Sequence, residues 1–120
     1  MKVIITESKL NNIINSTLGY NLSDKIDMIS SFWDADITVR SMIGGKERFN
    51  KLLNLWGPMY WIKTPNNGEW LAQQRENREW TIRSPYLEII DESELLSYMG
   101  LNVFGIPLNT IINNFVIEED

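Results

Sequence analysis

The chain contains neither cysteine nor histidine. Disulfides are therefore impossible, and a small secreted, cross-linked domain loses its main support. Zinc sites are built from the same two residue types, which excludes a structural zinc. The commonest proton shuttle at neutral pH is missing too, so acid–base work would fall to a carboxylate, Lys or Tyr. No assembled motif places such groups together, and the expectation is a non-enzyme with no catalytic residue, metal or cofactor.

Long apolar runs are equally scarce. Val3-Ile4-Ile5 is far short of a signal-peptide core, and no stretch approaches the roughly 20 residues of a membrane-spanning helix. The expected location is the cytoplasm or a particle, with no membrane partner. Basic side chains are missing from one region: residues 85–120 hold seven acidic and no basic residues, net −7, whereas residues 1–84 carry +2, giving −5 for the chain.

What is present is ordinary for a folded protein. With 120 residues, 43% hydrophobic and 22% charged, the chain can build one core and no second one, so residues 1–120 are expected to form a single domain. Thr6 can cap a first helix whose Leu10, Ile13, Ile14 and Leu18 fall on one face, with Gly19 as its stop. The spacing of Ile26, Ile29 and Trp33 predicts a second helix from Ser23, and β-branched Ile37-Thr38-Val39 predicts an extended segment. Phe49, Leu52, Leu53 and Trp56 mark the clearest helix, closed by Gly57-Pro58.

From Met59 the period changes. Three aromatic and β-branched runs, separated by Pro65-Asn66-Asn67-Gly68 and Arg75-Glu76-Asn77-Arg78, read as a meander, and Tyr86 to Ile90 can add a fourth strand. Asp91 with Glu94 forms a capping pair for a short helix ending at Gly100, and Pro107 opens a last helix carrying Leu108, Ile111, Ile112 and Phe115. The fold class expected is α+β: a small antiparallel meander of three to four strands, about 59–90, packed on one face by N-terminal and C-terminal helices.

If both turns hold four residues, pairing couples positions of odd sum. One face then carries Tyr60, Ile62, Leu71, Trp80 and Ile82. The other carries Trp61, Lys63, Trp70, Ala72, Thr81 and Arg83. Indoles beside cations on a bare face could anchor a partner protein or stack single-stranded bases, so Trp61, Lys63, Trp70 and Arg83 are the first candidate binding surface. Alternatively a helix, or the stems of Lys and Arg, covers these rings, and a three-residue bulged turn would break the assignment. The second candidate surface is acidic, Glu88, Asp91, Glu92 and Glu94, against which stands a solvated face of capping residues. Two weaker patterns are the carboxylate pair Asp34 and Asp36, and Gly44-Gly45-Lys46, which lacks the glycine spacing of a phosphate loop.

The opening Met1-Lys2-Val3-Ile4-Ile5-Thr6-Glu7-Ser8, leading into an amphipathic helix, resembles the N-terminus of small uncharacterised proteins of tailed bacteriophages, over residues 1–15 and with a looser echo at Ile43-Gly44-Gly45. The resemblance implies a phage-encoded accessory, virion-associated or directed at a host factor. It carries over no site residue. The function expected is a protein–protein interaction module; the alternative is a single-stranded nucleic-acid binder. Pairing of an edge strand with its own copy would give a homo-oligomer.

Overall fold

The computed structural model describes residues 12–115, so the Thr6 cap, Leu10, the phage-like opening up to Asn11 and the acidic tail Glu118-Glu119-Asp120 lie outside the described residues. Helix α1, described over 12–18, ends where Gly19 donates its backbone N–H to the Asn15 carbonyl. A 3-10 turn, Leu22–Lys25, is capped by Asn21 and leads directly into strand β1, Ile26–Ile29. The predicted helix from Ser23 does not form. Ile26 and Ile29 are both buried, but as the two ends of a four-residue strand.

Residues 37–43 also differ from expectation. They form helix α2, Ile37–Ile43, in spite of their β-branched start. Asp36 accepts a hydrogen bond from the Thr38 N–H, and Gly44 closes the other end at φ +94°. Helix-propensity penalties of a few tenths of a kcal/mol per residue are small beside a good cap and two fully buried side chains, Val39 and Ile43. Helix α3, Lys46–Trp56, follows as the spacing predicts, with Phe49 buried and Gly57 as its cap.

Strands β2 (Met59–Thr64), β3 (Gly68–Gln74), β4 (Trp80–Arg83) and β5 (Ile89–Ile90) continue the sheet. Among the described residues the sheet has five antiparallel strands in chain order, β1-β2-β3-β4-β5. The three to four strands expected over 59–90 are joined by β1, which pairs with β2 across the α2–α3 excursion. Helix α4 (Glu92–Tyr98), a 3-10 turn (Asn102–Phe104) and helix α5 (Leu108–Phe115) complete the fold, which is α+β.

The register sets which side chains share a face. Tyr60 pairs with Ala72, Leu71 with Arg83 and Ile82 with Ile90, all even sums. The cause is turn length: three residues, 65–67, separate the paired Thr64 and Gly68, and five separate Gln74 from Trp80. Gly68, at φ +88°, takes the left-handed conformation in which the first turn rejoins the strand. An odd loop moves every β3 side chain to the face opposite the one expected from four-residue turns.

The even face carries Met28, Tyr60, Ala72, Ile82 and Ile90 in one row across all five strands. It packs against α1, α4 and α5 through Ile14, Leu95, Met99, Leu108, Ile111 and Ile112. The odd face carries the row Asp27–Trp61–Leu71–Arg83–Ile89. There α2 and α3 bring Val39, Ile43 and Phe49 onto Ile29, Met59, Trp61 and Leu71. Helices therefore pack on both faces, not on one. On the odd face, however, the buried cluster stops at β3 and contains no residue of β4 or β5.

Candidate functional site

The sheet register separates the two indoles placed together by sequence reasoning. Trp61 lies on the odd face, 5% exposed, beneath α2 and α3. Trp70 lies on the even face, 3% exposed, with its ring centroid 5.8 Å from that of Tyr98. Its indole N–H is buried without an acceptor among the described groups. Neither ring can stack a base or anchor a partner while the sheet is intact, so the Trp61/Trp70 surface does not exist. Lys63 is exposed at the end of β2 opposite Glu69. Arg83 is half-buried two strands away. Of the four residues, Lys63 and Arg83 remain accessible on the odd face, and the buried α2–α3 cluster does not reach the strand of Arg83.

The bare strip begins beside it. Along the row from Trp61 through Leu71 and Arg83 to Ile89, the helical cover gives out after Leu71, and Ile89 is 77% exposed. The connection from β4 to β5 adds Tyr86 at 86% and Leu87 at 76% exposed. Three large hydrophobic side chains thus stand in solvent within four residues of one hairpin. The backbone beneath them is firmly held. Buried Ser84 makes four hydrogen bonds: its N–H donates to the Glu88 carbonyl, its carbonyl accepts from the Leu87 N–H, and its Oγ accepts from the N–H groups of Tyr86 and Glu88. Leu87 itself sits at φ +69°, a conformation that costs a branched L-residue on the order of 1–2 kcal/mol. With its side chain almost wholly in solvent, packing within the chain repays little of that cost.

Next to the strip, one face of α3 and strands β3 and β4 border a half-open pocket of about 260 Å³. Arg48, Arg75, Thr81 and Arg83 occupy its solvent side, and Ile43, Met59 and Leu71 lie at its buried side. The Arg75 guanidinium covers one face of Trp56, 5.0 Å from the ring centroid. Gln73 fixes the wall by donating through Nε2 to the carbonyls of Leu52 and Gly57, at 3.0 and 2.8 Å.

The acidic candidates have structural partners. Asp91 accepts the Glu94 N–H at 2.8 Å and caps α4. Glu92 reaches across to accept the Leu108 N–H at 2.8 Å, capping α5. Glu94 accepts the Tyr98 hydroxyl at 2.8 Å, which holds that phenol above its ordinary pKa. Asp91 and Glu92 also border an open groove of about 550 Å³ with Leu96, Leu101, Ile106 and Pro107. Glu88 is exposed on the hairpin.

Two further features of the odd side are local. Asp36 is held below the usual carboxylate range, chiefly by its hydrogen bonds from Thr38, with Arg40 and Lys63 adding to the effect. Asp27, Asp34 and Asp36 border one shallow cavity, but no group of three or more potential metal ligands is assembled among the described residues. Trp33 is the well-exposed indole, at 67%, with Arg40 and Lys46 at 5.4 and 5.2 Å from its ring centroid.

Sequence reasoning missed Tyr86, Leu87, Arg48 and Arg75. A signal for the first two was available: Ser84-Pro85 before a run ending in Glu88 is turn chemistry, yet the apolar content of 86–90 suggested strand throughout. No family model matches the chain, and searches of curated proteins and of solved structures return no significant match.

Proposed function

We propose that the chain is a non-enzymatic protein–protein interaction module, docking a partner protein on the β4–β5 hairpin and the bare strip below it. The observation that carries this reading is the hairpin tip. Tyr86, Leu87 and Ile89 are exposed on a backbone pinned by Ser84, and Leu87 holds a conformation that its own surroundings do not reward. Three large apolar side chains kept in solvent on a backbone fixed by hydrogen bonds support a surface shaped for something outside the chain. Large side chains on a rigid hairpin can enter a partner's recess with little ordering cost, which is how a few residues come to dominate an interface. Together with the phage-like opening, this supports an accessory that joins a virion or occludes a host protein.

The experiment is photo-crosslinking from a reactive side chain installed at Ile89, with one at exposed Asn113 on α5 as the control, in extracts of the native host. A discrete adduct is expected from position 89. Unlabelled wild-type chain should compete it away, and a Tyr86→Ser/Leu87→Asn/Ile89→Ser chain should not. Equal labelling from position 113, or competition by the triple variant, would refute the reading.

A further inference from the structure

The pocket between α3 and β4 stands apart from the docking reading, because its charge is unusual for this molecule. The chain has 16 acidic side chains and five arginines, at 40, 48, 75, 78 and 83. Three of those five arginines line this one cavity, and no carboxylate does. Among the described residues none of the three has an ion-pair partner. In an acidic protein, three arginines bordering one cavity without a counter-charge make it locally positive, and a bound anion offsets their mutual repulsion. Each guanidinium presents a planar fork of donors matched to phosphate oxygens, and the exposed Thr81 hydroxyl adds another donor.

The remaining lining narrows the ligand. The buried side is apolar, formed by Ile43, Met59 and Leu71, and Trp56 contributes an aromatic wall. At about 260 Å³ the space exceeds a lone phosphate and falls just below the roughly 300–1,000 Å³ of sites for larger organic ligands. We infer that this pocket is a binding site for a small phosphate monoester, its phosphate held by Arg48, Arg75 and Arg83 and its apolar substituent turned inward beside Trp56. The site meets the bare strip at Arg83 but does not use Tyr86, Leu87 or Ile89, so its test by phosphate titration is separate from the crosslinking test of partner docking.

The test follows the side-chain Nε–Hε signals of the five arginines by NMR during titration with phenyl phosphate and, separately, inorganic phosphate. Saturable shifts are expected at Arg48, Arg75 and Arg83, with Arg40 and Arg78 unmoved, and phenyl phosphate binding the more tightly. Arg83→Gln should weaken binding at least tenfold. Arg48→Gln, at an exposed helix position, provides the same reading should the strand variant fail to fold. The inference is overturned by any of three results: no saturable shift up to about 10 mM ligand, equal shifts at Arg40 and Arg78, or inorganic phosphate binding as tightly as the ester.

Discussion

Replacing Leu87 by Asn should stabilise the free protein while weakening its capture of a partner. The left-handed backbone at Leu87 costs about 1–2 kcal/mol for a branched residue, and Asn adopts it readily. Against this, the quarter of Leu87 that is buried contributes about 0.4–0.7 kcal/mol. The net gain is then on the order of 1 kcal/mol, equivalent to a rise of about 3–6 °C in Tm for a domain of this size. The preceding turn supplies an internal comparison. Arg75 and Glu79 are bonded as Ser84 and Glu88 are, the Arg78 N–H donates to the Arg75 carbonyl as Leu87 does to Ser84, and Arg78 sits at φ +70°. Arg78→Asn should therefore raise stability by a similar amount and leave partner capture unchanged. Urea unfolding followed by tryptophan fluorescence measures both. If Leu87→Asn lowers the midpoint while Arg78→Asn raises it, the Leu87 side chain is packing within the chain, and the argument for a tip held at a cost fails.

Gln73→Leu should destabilise by about 2–3 kcal/mol in the same assay, since it removes two hydrogen bonds and takes from the Gly57 carbonyl, at the cap of α3, its Gln73 donor. Glu92→Ala should cost about 1 kcal/mol by uncapping α5, whereas Glu92→Gln, which keeps an acceptor, should recover most of that loss. Acrylamide quenching of Trp fluorescence should fall sharply in Trp33→Phe and little in Trp61→Phe or Trp70→Phe; the reverse order would contradict the register. Burial raises the phenol pKa of Tyr20 and Tyr60, and the hydrogen bond to Glu94 raises that of Tyr98. The folded state then holds protons that the unfolded chain has already released, so this stabilisation is complete below about pH 10 and is lost as pH rises through the higher folded values. A flat stability profile across that range would refute it.

Helices α3, α4 and α5 and the meander were legible because each depends on local chemistry: Phe49 to Trp56 at helical spacing, Asp91 as a cap, Asn66-Asn67-Gly68 as a turn. The errors arose where a choice depended on distant residues. Ile26 and Ile29 satisfy a helical period as well as the ends of a short strand, and only the partner β2 decides between them. At 37–43, β-branched propensity pointed to strand, and the Asp36 cap with burial of Val39 and Ile43 outweighed it. The candidate site failed on a count of one. Four-residue turns would unite Trp61 and Trp70, and the odd loop at 65–67 sends Trp70 through the sheet to Tyr98. The pocket arginines lie on three different elements, and nothing in the order of residues announces that they meet.

The α2–α3 excursion leaves the sheet at its first strand and returns at its second, so the shade it casts ends before the far edge. On the last two strands, alternate positions therefore answer to different demands. Ile82 and Ile90 belong to the interior, whereas Thr81, Arg83 and Ile89 face outward. Substitutions at the outward positions therefore alter the surface that the sheet presents while leaving the two interior rows, and with them the scaffold, unchanged.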